Sequence, residues 1–401
     1  MEKSKKIELK NVVKIFGSNP ELALKRLSKG ESKDKIFQET GQIVGVNQVS
    51  FSVNEGEIFV IMGLSGSGKS TLIRLVNRLI ESTSGEINID GQNIVEMDKN
   101  ELMLTRRNKL AMVFQNFALF PHKNIISNVA YGLEVKGIAK EEREEKARIA
   151  LENVGLKGYE ESMTDQLSGG MQQRVGLARA VANGSDILLM DEAFSALDPL
   201  IRKEMQDELL QLQERLHKTI LFITHDLDEA LKLGDRIAIM KDGVIVQIGT
   251  PEDVLKNPAD DYVTAFVQDV DRSKVLTAAN VMKKPDVHTT WKDGPRVAIR
   301  KMEEAGISSI FVIDKERELK GLLTIDAALE AVKQNRWIES FLTEDYFTTN
   351  ESTPLHELIP IAAETKYPIA VVENNKLKGI IVRVSILSGL VLGKENGEVE
   401  E

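Results

Sequence analysis

The string Gly63-Leu64-Ser65-Gly66-Ser67-Gly68-Lys69-Ser70-Thr71 sits directly behind the apolar run Ile58-Phe59-Val60-Ile61-Met62 and ahead of a helical pattern. Strand, glycine-rich turn and helix in that order confine this stretch to an α/β arrangement. The turn curls its backbone N–H groups around an anion at the N-terminus of the helix that follows. The spacing places Lys69 within reach of the β- and γ-phosphates of a nucleotide and offers the Ser70 hydroxyl to Mg²⁺. Gly63, Ser65, Gly66, Ser67, Gly68, Lys69, Ser70 and Thr71 are therefore candidate phosphate-binding residues, and a Gly-Ser turn with no ligand is the minor reading in this context.

The surrounding chain extends the same pattern. From Ile7 to about Val270, β-branched runs such as Ile187-Leu188-Leu189-Met190 and Ile220-Leu221-Phe222-Ile223 alternate with longer helical patterns, which predicts a substantially parallel sheet. Residues 17–41 interrupt it with Leu22, Leu24, Leu27, Ile36 and Phe37 at helical spacing, read as one or two short amphipathic helices packed on the domain. At 401 residues the chain has room for two or three domains. Its net charge of −10 counts against broad binding of nucleic acid, and the lack of cysteine removes disulfides, thiolate metal sites and cysteine nucleophiles. No window approaches the ~20 apolar residues that span a bilayer. The chain is expected in the cytoplasm, with any membrane crossing left to another chain.

Two further strings carry chemistry. Ile187-Leu188-Leu189-Met190 ends in Asp191-Glu192, which puts two carboxylates at the C-terminal edge of a buried strand, where open α/β sheets hold nucleotides. Asp191 can hold Mg²⁺ through water and Glu192 can polarise an attacking water as general base. Alone, such a run is most often a strand entering a solvated loop; the phosphate loop upstream raises its weight. Leu167-Ser168-Gly169-Gly170-Met171-Gln172-Gln173-Arg174 precedes another helical pattern, so Ser168, Gly169 and Gly170 form a second candidate anion site. An ordinary N-cap turn accounts for Ser and one Gly, not for the whole string.

The order of phosphate loop, Gln115, Leu167-Ser168-Gly169-Gly170-Met171-Gln172, Asp191-Glu192, Ser195-Ala196-Leu197-Asp198 and His225 resembles the nucleotide-binding subunit of ATP-binding-cassette (ABC) transporters. The resemblance covers about the first two-thirds of the chain. It implies an α/β P-loop ATPase fold with a RecA-like core plus a helical subdomain, and a dimer in which ATP lies between the phosphate loop of one copy and the Ser168–Gly170 string of the other. It further implies that Glu192, His225 and Gln115 are catalytic, with Gln115 sensing Mg²⁺ and the attacking water, His225 meeting the γ-phosphate and Asp198 crossing the seam. An aromatic stacked on adenine is expected by the same resemblance; Phe16 fits best and Phe37 competes. The insert and the wording Met190-Asp191-Glu192-Ala193-Phe194-Ser195 are similar to the ATPases of glycine betaine/proline betaine importers, bacterial systems whose ATPase sits on the cytoplasmic face of the membrane beside a separate permease.

After residues 269–274 a weak repeat begins. Glu318-Leu319-Lys320-Gly321-Leu322-Leu323 returns as Lys376-Leu377-Lys378-Gly379-Ile380-Ile381, each copy following an apolar strand. The two copies resemble a tandem cystathionine-β-synthase (CBS) module of βαββα halves. The expected layout is a cassette over 1–270 with the insert at 17–41, repeats over 275–333 and 335–393, and an acidic end at 394–401. In nucleotide-binding members of that family, residues matching Thr324 and Asp326 touch ribose and phosphate; in the second copy Val382 and Ser385 replace them. Two regulatory readings follow. Basic residues including Lys283, Lys284, Arg296, Arg300, Lys301, Lys376, Lys378 and Arg383 could dock on anionic lipid at low salt, or a cyclic dinucleotide could bind and inhibit. The plain alternative is a structural pairing module with a solvated charged surface. For the whole chain the alternatives are a cassette ATPase for another solute and a nucleotide sensor without turnover. Repair and translation ATPases are set aside, since the chain lacks the coiled-coil insert, the zinc-binding cysteines and the second cassette that those types carry.

Overall fold

The runs Ile58–Met62, Ile187–Asp191 and Thr219–Thr224 are buried at every position. Only strands covered on both faces read that way, so these three must lie inside a parallel sheet. The computed structural model, which describes residues 4–268, 270–285, 288–290 and 292–391, places them side by side. The described residues fall into two compact units that part between Val270 and Asp271.

Along the first unit the strands are β1 (Lys5–Phe16), β2 (Ile43–Asn54), β3 (Ile58–Met62), β4 (Ser84–Ile89), β5 (Gln92–Asn93), β6 (Leu110–Phe114), β7 (Ile187–Asp191), β8 (Thr219–Thr224), β9 (Arg236–Lys241) and β10 (Val244–Gly249). The helices are α1 (Pro20–Leu27), α2 (Lys33–Thr40), α3 (Lys69–Val76), α4 (Lys99–Lys109), α5 (Ile125–Val135), α6 (Lys140–Asn153), α7 (Gly169–Ala182), α8 (Pro199–Leu216), α9 (Leu227–Leu233), α10 (Pro251–Lys256) and α11 (Asp261–Val267). A six-stranded sheet runs β10-β9-β3-β8-β7-β6, with every pair parallel except β10 against β9. A second sheet, β2-β1-β4-β5, is antiparallel throughout. The six-stranded sheet is the substantially parallel sheet expected from the sequence, and the antiparallel one adds to it. In the latter, strands β1 and β2 are twelve residues each; Ile7 and Leu9, and Val49, Phe51 and Val53, alternate inward as one antiparallel face does, and bulges shift the register between such stretches.

One core joins both sheets to α3, through Ile7, Phe59, Leu72, Leu75, Leu189 and Leu221. Each such burial contributes ~1.5–3 kcal/mol against the entropy of ordering the chain. Helices α5, α6 and α7 pack on one another and form the helical part of the unit. The 17–41 insert is two helices. Asn19 and Ser32 cap their N-termini, and Gly41 closes α2 in the left-handed region at φ 66°. Their small core is Ala23 and Ile36 against Val13, Ile15 and Val44, with Leu24 and Leu27 beside it. Leu22 and Phe37, grouped with the apolar face in the sequence, stay exposed, because the helical turn carries them away from that core.

The second unit repeats one motif. The first copy comprises α12 (Ala278–Val281), β11 (Thr289–Thr290), α13 (Pro295–Ala305), β12 (Ser309–Ile313), β13 (Leu319–Thr324) and α14 (Ile325–Lys333). The second comprises β14 (Thr348–Thr349), α15 (Leu355–Glu364), β15 (Ile369–Glu373), β16 (Lys376–Ile381) and α16 (Arg383–Val391). Each forms a three-stranded sheet whose first pair is parallel and second antiparallel. The leading segments exchange cores: Leu276, Ala278 and Val281 pack with Leu355, Leu358 and Ile369, while Ile338, Phe341 and Leu342 pack with Met302 and Leu323. The expected acidic end at 394–401 lies outside the described residues.

One carboxylate in this unit sets a pH response. Burial pushes the Asp293 carboxyl up, yet the Thr290 N–H, the Lys301 ammonium and the Thr289 hydroxyl together hold it down at about 2. A carboxyl depressed in the folded state adds stability above its unfolded pKa of ~3.9 and loses it as pH falls towards 2. Asp293→Asn is expected to lower the melting temperature at neutral pH and to flatten its decline between pH 4 and pH 2, read by thermal denaturation across pH.

Candidate active site

The phosphate loop follows β3 and its shape depends on glycine at two places. A side chain at Gly63, where φ is 154°, would lie 2.1 Å from the Met240 carbonyl oxygen. At Gly68, where φ is 103°, it would lie 2.4 Å from that of Gly45. Gly68→Ala is therefore expected to cost ~1–3 kcal/mol of backbone strain, seen as a melting temperature several degrees lower together with weaker nucleotide binding. Gly68 occupies the N-cap of α3 without a side-chain cap, so the first N–H groups of that helix face the loop.

Lys69 is buried at the start of α3, and its ammonium donates to the carbonyl oxygens of Gly63 at 2.7 Å and Leu64 at 3.0 Å. Burial lowers its pKa, opposed by the nearby carboxylates of Glu192 and Asp191. The Ser67 hydroxyl is buried with no hydrogen-bond partner. An orphaned hydroxyl beside open helix N–H groups and a buried ammonium suits a polyanion.

At the end of β7, Asp191 accepts a hydrogen bond from Ser70 Oγ at 3.0 Å and faces Arg74 at 3.9 Å. Burial raises its pKa, partly countered by Ser70, Arg74 and Lys69. A hydroxyl and a carboxylate in contact at the phosphate loop are the hard oxygen donors that Mg²⁺ takes, with waters and phosphate oxygens completing the shell. The donor set therefore fits that ion.

Glu192 has φ 48°, a left-handed conformation that is uncommon for a residue with a side chain. The turn is held by the Glu192 N–H to the Ile223 carbonyl at 3.0 Å, and it brings Glu192 Oε2 within 3.1 Å of His225 Nδ1 at the end of β8. Gln115, just beyond β6, donates to Ser195 Oγ at 3.0 Å, and Ser195 Oγ donates to the Glu192 carbonyl at 2.9 Å. Thus Gln115, Asp191, Glu192 and His225 lie at or just past the C-terminal edges of the adjacent strands β6, β7 and β8, the rim where such sheets carry their chemistry.

A cavity of about 540 Å³ is lined by Ser65, Gly66, Gly68, Lys69, Ser70, Thr71 and Glu192, and also by Phe16 and Phe37. Both aromatics considered for adenine therefore border it. Lys33, Asp34, Ile43, Val44 and Gly45 complete the wall and were not singled out in the sequence. Gly45 was the available signal, a glycine inside a strand that marks a close approach; a side chain there would meet the Phe16 ring at 2.8 Å.

Ser168, Gly169, Gly170 and Asp198 are not part of this lining. Ser168 caps α7 by accepting from the Met171 N–H, and Gly170 sits against Ile201 of α8, 2.6 Å from where its side chain would be. Asp198 occupies the N-cap of α8 and is exposed with no capping bond. In the second unit Thr324 caps α14 by accepting from the Ala327 N–H, Asp326 is exposed in that helix's first turn, and Lys283 and Lys284 are exposed.

The ABC transporter family matches residues 46–195, and the CBS domain family matches residues 278–334 and 338–392. The glycine betaine/carnitine transport ATP-binding protein GbuA of Listeria monocytogenes serotype 1/2a (strain 10403S) is 57% identical over 386 residues, 96% of this chain and 97% of the relative. The glycine betaine transport ATP-binding protein OpuAA of Bacillus subtilis (strain 168) is 54% identical over 98% of this chain and 94% of its own. Among solved structures, the dimeric structure of MJ0796, a bacterial ABC transporter cassette, is 34% identical with a TM-score of 0.52, covering 61% of this chain and 98% of that one. The same cassette is known in a post-hydrolysis state bound to ADP and Pi. Fold, phosphate loop and full-length relatives agree: the chain belongs to the ABC transporter family, among the ATP-binding subunits of glycine betaine transport systems, and carries a tandem pair of CBS domains.

Proposed function

We propose that this chain hydrolyses ATP to drive uptake of glycine betaine, or a closely similar quaternary ammonium solute, through a separate membrane permease at the cytoplasmic face of a bacterial membrane. The observation that carries the reading is Glu192 paired with His225 at the rim of the phosphate-loop cavity, where a water could stand in line with a terminal phosphate. Glu192 polarises that water, His225 holds the carboxylate and then meets the phosphate, and Gln115 reports the filled site to Ser195. Mg²⁺, held by Ser70 and through water by Asp191, would neutralise phosphate charge. Phe16 stacks on adenine. The boundaries proposed are those expected from the sequence, a cassette to residue 270 followed by two repeats.

Two copies complete the site, with Ser168, Gly169 and Gly170 of each covering the ATP of the other and Asp198 at the seam. No helix among the described residues is long and apolar enough to cross a membrane, in line with a separate permease. The reading is tested by copurification and reconstitution. The chain should associate with a membrane permease, and glycine betaine should stimulate ATP hydrolysis by the assembly; a permease complex whose ATPase ignores betaine and responds to another solute would overturn the assignment.

The CBS module is proposed to regulate turnover. Of the cations considered for lipid, Lys301, Lys378 and Arg300 face carboxylates and Arg383 donates to backbone carbonyls of Ala362, Ala363 and Thr365. This leaves Lys283, Lys284, Arg296 and Lys376, all exposed, to carry an ionic-strength response through anionic lipid, and Thr324 with Asp326 to carry a response to a cyclic dinucleotide. Vesicles with and without anionic lipid separate the first response from the second: a salt threshold that is unchanged in neutral lipid contradicts lipid docking.

A further inference from the structure

The insert helix α2 stands on the rim of the nucleotide cavity, and its position is fixed from two sides. Ile36 is fully buried in the small core under the helix, while Lys33 pairs with Asp242 in the turn between β9 and β10. That turn is itself tied to the phosphate loop, because the Gly243 N–H donates to the Ser67 carbonyl at 3.0 Å. The helix is thus linked, through the β9–β10 turn, to the loop that would grip the phosphates.

On this framework Phe37 lines the cavity yet remains 53% exposed, and Phe16, on the opposite hairpin, remains 36% exposed. Phe37 adds little to the packing of the insert, since it takes no part in the core around Ala23 and Ile36. Two half-open phenyl rings border a cavity whose other end is a phosphate loop. A nucleoside triphosphate anchored by its phosphates at Lys69 must project its base towards this apolar end, where Ile43 and Val44 also lie.

We infer that Phe37 is a second base-contacting residue, so that the adenine is held between Phe16 on one side and Phe37 of the insert on the other. The inference rests on the ATP reading above and extends it to the insert, which supplies a wall that the hairpin alone does not. Because the rings recognise a π-face, the gain falls on ligands that carry a base and not on phosphate alone.

The test compares ATP with inorganic tripolyphosphate, each with Mg²⁺, by calorimetric titration of the full chain and its Phe37→Ala and Phe37→Tyr variants. The expected result is roughly tenfold weaker ATP binding in Phe37→Ala, within the range of one base–aromatic contact. Tripolyphosphate affinity should be unchanged, and Phe37→Tyr should bind ATP as the unaltered chain does. Equal loss of both ligands in Phe37→Ala would mean the helix had moved and would overturn the clamp, as would ATP affinity within twofold of the unaltered chain. An unaltered chain that binds no ATP would remove the nucleotide reading itself, a result distinct from either of these.

Discussion

Glu192→Gln is expected to lower ATP turnover on the order of 10²- to 10³-fold while leaving ATP affinity within a few-fold, the loss typical of a general base. The geometry is the reason. Glu192 adopts a left-handed conformation at the end of a fully buried strand, and its carboxylate is aligned by His225 at 3.1 Å. Glutamine preserves the shape and can still bond the imidazole, but it cannot take a proton. Its effect therefore falls on the transition state and leaves the ground state alone. His225→Ala should reduce turnover in the same direction by removing the group that orients Glu192. Steady-state ATPase assays with parallel nucleotide titrations check both; full turnover in either variant would contradict the assigned roles.

Lys69→Ala should act on the other quantity. The ammonium is buried where the loop's carbonyls from Gly63 and Leu64 hold it, so it is already positioned when a phosphate arrives. A charge-assisted hydrogen bond made in a partly desolvated site is worth enough that losing it should weaken ATP binding on the order of 10²-fold. Turnover at low ATP should fall with it. The control is thermal stability without nucleotide, because a collapsed loop would lower the melting temperature as well. Binding by Lys69→Ala within a few-fold of the unaltered chain would exclude Lys69 as a phosphate ligand.

The parts of this fold most legible in the sequence are those whose chemistry is local. A buried strand, a glycine turn and a helix are contiguous at 58–76, so β3, the phosphate loop and α3 could be read together. Asp191 and Glu192 could likewise be placed at a strand end from the apolar run before them. Contacts between distant segments were harder. The β1–β2 pairing is bulged, and although Ile7 and Leu9 or Val49, Phe51 and Val53 alternate as a half-buried strand does, nothing local says that the two strands pair across the insert. The choice between Phe16 and Phe37 could not be made along the chain, because it is the folding of the insert back onto the β2 hairpin that brings both to one cavity. The meeting of Glu192 with His225, and of Gln115 with Ser195, depends on the order of β6, β7 and β8 in the sheet. Glu192 was legible from its strand end, but only the family resemblance put Gln115, Ser195 and His225 forward in advance. In the second unit the repeat was visible as a recurring string, whereas the exchange of leading segments between halves leaves no periodic trace.

The central claim is that one chain holds half of each ATP site: its phosphate loop lines the nucleotide cavity while Ser168, Gly169 and Gly170 lie elsewhere on the same cassette. The most direct measurement is the ATPase rate per chain across a dilution series, with the mass of the protein followed by sedimentation under the same conditions. The account predicts that the rate per chain falls as the pair dissociates and vanishes in the monomer. A rate per chain that stays constant down to concentrations where only monomer sediments would contradict it.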